Sequence, residues 1–138
     1  MSEEGPRQAE DWVSQLQLRA AKQLEETQRM QAELEKLSIT STNSDKSVTV
    51  SIDASGIMTD LKLTEAVKNS SAADLAAEIL AMQHKAQNQL GKAASQVVKD
   101  SVGLETATGE AVMNGYRKRF SKKAMEAREE ARKKGDKS

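Results

Sequence analysis

An α+β fold is predicted: a long first helix, a three-stranded antiparallel meander, a long second helix and a C-terminal basic helical extension. Three observations predict it. No glycine or proline interrupts Gln8 to Leu37, apolar and polar residues alternate from Val48 to Leu63, and an apolar stripe at helical spacing returns after Ser71. These are the periods that bury one face of a helix or of a sheet.

Gln8 to Leu37 is rich in Ala, Leu, Glu, Gln, Lys and Arg, all good helix formers. Val13, Leu16, Ala20, Leu24, Met30, Leu34 and Leu37 step by threes and fours, and Thr27 fills the gap in that ladder. The stripe drifts backward around an ideal helix, which marks a seam near 3.5 residues per turn that pairs with another helix. A partner helix is therefore expected.

Ser38 to Thr42 alternates weakly, and "NSDK" after it suits a turn. Val48, Val50 and Ile52 then alternate with Thr49, Ser51 and Asp53, and "DASG" supplies a turn in which Gly56 takes a positive φ. On the return strand, strict alternation puts Thr59, Leu61 and Leu63 on one face and Met58, Asp60 and Lys62 on the other. So small a meander is marginal alone. Pairing it with a second copy across a two-fold axis makes Val48, Val50, Ile52, Leu61 and Leu63 the expected dimer core.

Ser70 and Ser71 offer an N-cap, with Asp74 three residues after Ser71. Leu75, Ile79, Met82, Ala86, Leu90, Ala93 and Val97 share one face of the helix that follows. From Ser71 to Asp100 that helix would be about 45 Å long, more than a three-stranded sheet is wide. Its C-terminal half is expected to project or to meet another chain. Gly103, Gly109 and Gly115 mark a joint, and beyond it a solvated third helix carries Tyr116, Phe120, Ala127 and Ala131 on one narrow face.

The 138 residues amount to one domain, 37% hydrophobic and 30% charged, with a mean hydropathy of −0.68. Trp12, Tyr116 and Phe120 are the whole aromatic complement, and so thin a core often needs a second subunit. The absence of cysteine excludes disulfides, thiolate metal sites and cysteine nucleophiles, and it fits a reducing cytoplasm. The acidic start "MSEEGPRQAEDW" lacks an apolar signal region and no run reaches the length of a membrane span, so a soluble chain with no membrane partner is expected.

His84 lies opposite the apolar stripe without converging ligands, Asp53 ends a strand at a turn, and Asp60 sits on the polar face. No Ser/His/Asp set, P-loop or dinucleotide fingerprint is present, so no catalytic residue, metal or cofactor is expected.

Charge is neutral in sum but uneven: Tyr116 to Ser138 carries ten bases against four acids. Lys85, Lys92 and Lys99 recur every seven residues in one row, with Asp74 and Glu78 ahead of them as the helix dipole prefers. Arg19, Lys22 and Arg29 give the first helix a sparser set. In "YRKRFSKK", Arg117, Lys118, Arg119, Lys122 and Lys123 interleave with Tyr116 and Phe120, a pattern that suits phosphate contact with some stacking. Acidic proteins, anionic membrane surfaces and plain solubility use such tails as well, and the glutamates of "EAREEARKK" dilute the charge.

The order of elements, a first helix ending near "QAELEKL", a "VTVSIDASGIMTDLKL" hairpin and a second helix opening "SAADLAAEILAMQHKAQNQL", resembles the YbaB/EbfC family of small bacterial nucleoid-associated proteins, and within it the divergent actinobacterial members. The resemblance covers about Trp12 to Val98. It implies an intertwined homodimer whose long helices project like the arms of tweezers, and DNA binding in the nucleoid with low or variable sequence preference. Carried over, the arm positions are Arg19 and Lys22 on the first helix and Lys92 and Lys99 on the second. The chain then divides into a disordered start (1–11), a family-like domain (12–100), a glycine-containing joint (101–115) and a basic helical tail (116–138). Where many members have a glycine-rich loop this chain has "TSTNSDK", and its basic extension replaces a Gly/Pro/Met-rich tail. The alternative is a protein-interaction adaptor, since some actinobacterial relatives are associated with type VII secretion loci.

Overall fold

The computed structural model describes residues 4–135. α1 spans Glu4–Glu35 and starts ahead of the predicted Gln8. Pro6 falls in its first turn, where a missing N–H has no helical partner to lose. The stretch expected to be disordered is therefore helical from Glu4. Residues 1–3, and 136–138 of the expected tail, lie outside the described residues.

β1 (Ile39–Thr42), β2 (Val48–Ile52) and β3 (Met58–Leu63) form one antiparallel sheet in the order β1-β2-β3, the meander read from the sequence. Short polar side chains build both turns. In the first, Asn43 Oδ1 accepts from the Val48 N–H at 3.0 Å, and Asp45 Oδ1 accepts from the Ser47 N–H and hydroxyl at 3.0 and 2.6 Å. Those two bonds hold the Asp45 carboxyl below its ordinary value. In the second, Asp53 Oδ1 accepts from the N–H groups of Ser55 and Ile57 at 2.9 and 3.0 Å, and Gly56 takes a φ of 82°.

A bulge between Ser51 and Ile52 corrects the expected facing of β3. Ser51 pairs with Asp60 while Ile52 pairs with Met58, so one residue of β3 is skipped and Met58 joins the core instead of sharing a face with Asp60 and Lys62. Leu61 and Leu63 stand opposite Val50 and Val48 but remain 38% and 44% exposed. The next helix packs on β1 and β2 and leaves β3 as a bare edge.

That helix, α2 (Ala72–Asp100), follows a 3-10 turn at Glu65–Asn69, and Ser71 caps it by accepting from the Asp74 N–H at 3.1 Å. Ala86 and Leu90 of α2 bury against Val48, Val50 and Ile52, with Leu37, Ile39, Leu75, Ile79 and Met82 packed around them. Three of the five residues expected in a dimer core are thus already covered within one chain.

The C-terminal half of α2 does not stand bare. α3 (Ala107–Phe120) folds back along it, and the buried face shifts from the predicted Ala93 and Val97 to Ala94 and Val98. The joint narrows to Ser101–Thr106, since Gly109 and Gly115 lie inside α3. Gly103 turns the chain with a φ of 90°, and a Cβ on Gly109 would overlap the Gly103 carbonyl, so this glycine serves a close backbone approach and not a break. Ser121 interrupts the chain in extended geometry, and α4 spans Lys122–Gly135. The single tail helix expected from Tyr116 is therefore two helices, the first of them packed on the core.

Candidate nucleic-acid interface

The stretch with the sharpest nucleic-acid pattern folds against the hairpin turn. Three successive carbonyls of that turn each accept from a different side chain: Ala54 from the Tyr116 hydroxyl at 3.5 Å, Ser55 from Arg119 Nη1 at 3.4 Å, and Gly56 from Gln87 Nε2 at 3.3 Å. The Phe120 ring lies directly on Gly56, where any Cβ would overlap it. Tyr116 and Phe120 are a tilted pair with centroids 6.1 Å apart, and the Arg119 guanidinium sits 6.0 and 5.9 Å from the two rings. Burial raises the Tyr116 phenol above its ordinary value of 10.0, and the neighbouring Arg119 charge opposes that shift. Both rings serve packing, which leaves the base-stacking use expected of them without support.

Sequence reasoning missed this clamp. The i,i+4 spacing of Tyr116 and Phe120 was a legible sign of a packed face. So was Gln87, a polar residue beside Ala86 on the buried face of α2 and itself buried.

The candidate bases fall into two groups. Arg19 and Lys22 of α1 line an open cleft of ≈ 320 Å³ with Val102, Thr106 and Thr108, which places the middle of α1 beside the joint. Lys99, in the last turn of α2, belongs to the same end of the molecule. Lys92 and Arg117 line a second groove, of ≈ 470 Å³, between α2 and α3. Lys118 is exposed on α3, and the side chains of Lys122 and Lys123 lie outside what is described.

All seven candidate bases with described side chains are exposed, and among the described residues none is held in an ion pair. The ion pairs found there use Lys36, Lys62 and Lys68 instead. Arg117 donates to Asn114 Oδ1 at 2.8 Å and Arg119 to the hairpin turn, so hydrogen bonds position these two guanidinium groups. His84 is half-buried, and no cluster of metal-ligating side chains occurs among the described residues. No described helix is long and apolar enough to cross a membrane.

The YbaB/EbfC DNA-binding family matches residues 10–104, from α1 into the joint. The chain belongs to that family. YbaB/EbfC proteins are nucleoid-associated and DNA-binding, a non-enzymatic class, and the match takes in Arg19, Lys22, Lys92 and Lys99. It ends at Leu104, so α3 and α4, with the clamp residues Tyr116, Arg119 and Phe120, lie beyond the matched YbaB/EbfC region. Neither a curated protein nor a solved structure matches the chain.

Proposed function

We propose that the chain acts as a homodimer that binds duplex DNA through phosphate contacts, with little dependence on base sequence. The observation that carries this reading is the state of the bases: Arg19, Lys22, Lys92, Lys99, Arg117 and Lys118 are exposed and outside any ion pair among the described residues. Cations without a carboxylate partner can condense on phosphates without first breaking an internal contact. Because the aromatic rings of α3 are engaged by the hairpin, what remains on offer is charge, which positions a duplex but does not read it.

Two apolar faces support the dimer. Val13, Leu16 and Leu24 leave the α1 stripe exposed, and Leu61 and Leu63 extend the core face of the sheet beyond the cover of α2. A second copy supplies what both lack, a partner helix and a continuation of the sheet.

Binding to several unrelated duplexes over a salt series tests the reading. Affinities that agree among duplexes, with a log–log salt slope of about −0.9 per phosphate contact, are expected. A slope near zero sinks the phosphate mechanism, and a monomer in sedimentation at micromolar concentration sinks the dimer.

A further inference from the structure

The groove between α2 and α3 carries two bases and no acid. Lys92 stands on its α2 wall and Arg117 on its α3 wall, and no carboxylate is among its described lining residues. Arg117 bonds to the amide of Asn114, which is neutral and leaves the guanidinium charge in place. Like charges that share a space repel, and an anion between them would turn that repulsion into two charge-assisted hydrogen bonds.

A hydroxyl of the same chain lines this groove. Ser121 follows Arg117 by four residues, is exposed, and has extended backbone (φ −65°, ψ 152°) where α3 ends and α4 begins. A phosphoryl group on it would bring a charge of about −1.5 to −2 and three acceptor oxygens to the groove of Lys92 and Arg117. The residues ahead of Ser121 supply recognition. Arg117, Lys118 and Arg119 are exposed at the fourth, third and second positions before it, and no other serine or threonine follows three consecutive bases so closely. A protein kinase with an acidic substrate cleft would select this hydroxyl by charge complementarity. Entry into that cleft requires the last turn of α3 to open, and terminal turns are the least stable part of a helix.

We propose that Ser121 is the phosphorylation site of such a kinase, and that the phosphoserine seats between Lys92 and Arg117 and withdraws both from DNA. In the transfer, Ser121 Oγ forms a bond to the γ-phosphorus of a nucleoside triphosphate while the bond from that phosphorus to the bridging oxygen breaks. The hydroxyl proton passes to the kinase's base, and the nucleoside diphosphate leaves. The regulatory consequence rests on the phosphate-contact reading of these two bases; the site and the seating of its phosphate do not.

The full-length protein, treated with a serine kinase that prefers basic substrates and with magnesium ATP, should carry phosphate on Ser121 by peptide mass spectrometry. Ser121→Ala should remove it. Phosphorus NMR then titrates the phosphoserine, whose second ionisation lies at about 6 in water. Two adjacent cations favour the dianion, so a lower midpoint is expected, and Lys92→Gln with Arg117→Gln should return it to about 6. Against duplex DNA, phosphorylation should lower the log–log salt slope by about 1.8, which is 0.9 for each base withdrawn.

Phosphate confined to other residues overturns the site. A midpoint of about 6 in the unsubstituted phosphoprotein, or a low midpoint that survives the double substitution, overturns the seating in the groove. An unchanged salt slope after phosphorylation overturns the regulation. Unmodified protein that binds no duplex removes the phosphate-contact reading and the regulation with it, while the mapping and the titration still decide the site and its seating.

Discussion

The Phe120 ring rests on Gly56 at the tip of the hairpin, so closely that no side chain fits between them. The two residues are far apart in sequence, and their contact joins an element beyond the family match to the most strongly β-coded segment within it. Gly56 is also the residue whose φ of 82° closes the turn. One position therefore answers to a local and a tertiary constraint at once.

Gly56→Ala should for that reason cost more than a turn glycine usually does. The left-handed backbone accounts for about 1–2 kcal/mol, and displacement of the Phe120 ring adds to it. Phe120→Ala alone should lose about 2 kcal/mol from a half-buried aromatic. In the double variant the overlap is gone but the backbone strain is not, so denaturant unfolding should give a sum smaller than the two single losses. Strict additivity would mean that the ring does not press on the turn.

Tyr116 makes the same docking readable by pH. Its folded value is raised, chiefly by burial, so below the ordinary 10.0 the phenol is protonated whether α3 is docked or free, and the clamp is intact. As pH climbs past 10.0 the free phenol ionises first, and docking stability falls until the raised folded value is passed. Tyr116 is the single tyrosine, so absorbance at alkaline pH should show one midpoint above 10.0. Phe120→Ala, by opening the site to water, should move the midpoint back toward 10.0.

What could be read in advance, and what could not, divides along local and tertiary lines. The first helix, which ends at Glu35 where the sequence reading carried it to Leu37, the alternation of Val48, Val50 and Ile52, the Asp53–Gly56 turn and the Ser71 cap rest on interactions within a few residues, and each element was legible. The bulge that turns Met58 inward carries no glycine or proline to announce it. The docked "YRKRF" face was hidden because its charges describe a solvated surface equally well, and only the return of α3 along α2 decides between the two. For the bases, the sequence names the charges, but their grouping around the joint and around the α2–α3 groove depends on which helices come together.

Gly109 and Gly115 test this distinction with a pair of like substitutions in one helix. Alanine in a helix is normally favoured over glycine by about 1 kcal/mol. At Gly115 nothing lies within reach of an added Cβ, so Gly115→Ala should raise stability by roughly that amount. At Gly109 the Cβ would overlap the Gly103 carbonyl and come within 3.1 Å of Thr106 Oγ1, which itself caps α3 by accepting from the Gly109 N–H at 3.0 Å. Gly109→Ala should therefore lower stability by about 1–3 kcal/mol in thermal or denaturant unfolding. Equal and favourable effects at both positions would remove the close approach at the joint.

Arg119 and Lys99 separate structural from phosphate-directed charge. Lys99 is exposed and unpaired among the described residues, so Lys99→Ala should leave unfolding within about 0.5 kcal/mol of the parent. Its effect should fall on DNA binding, lowering the salt slope by about 0.9 for each contact removed. Arg119 instead donates to the Ser55 carbonyl at 3.4 Å and stacks near two rings, work that depends on a planar fork. Arg119→Lys keeps the charge and loses the fork. It should therefore reduce stability while leaving the salt slope where it was. If the slope fell by a full unit with Arg119→Lys and stayed fixed with Lys99→Ala, the assignment of roles would be the reverse of the one drawn from their contacts.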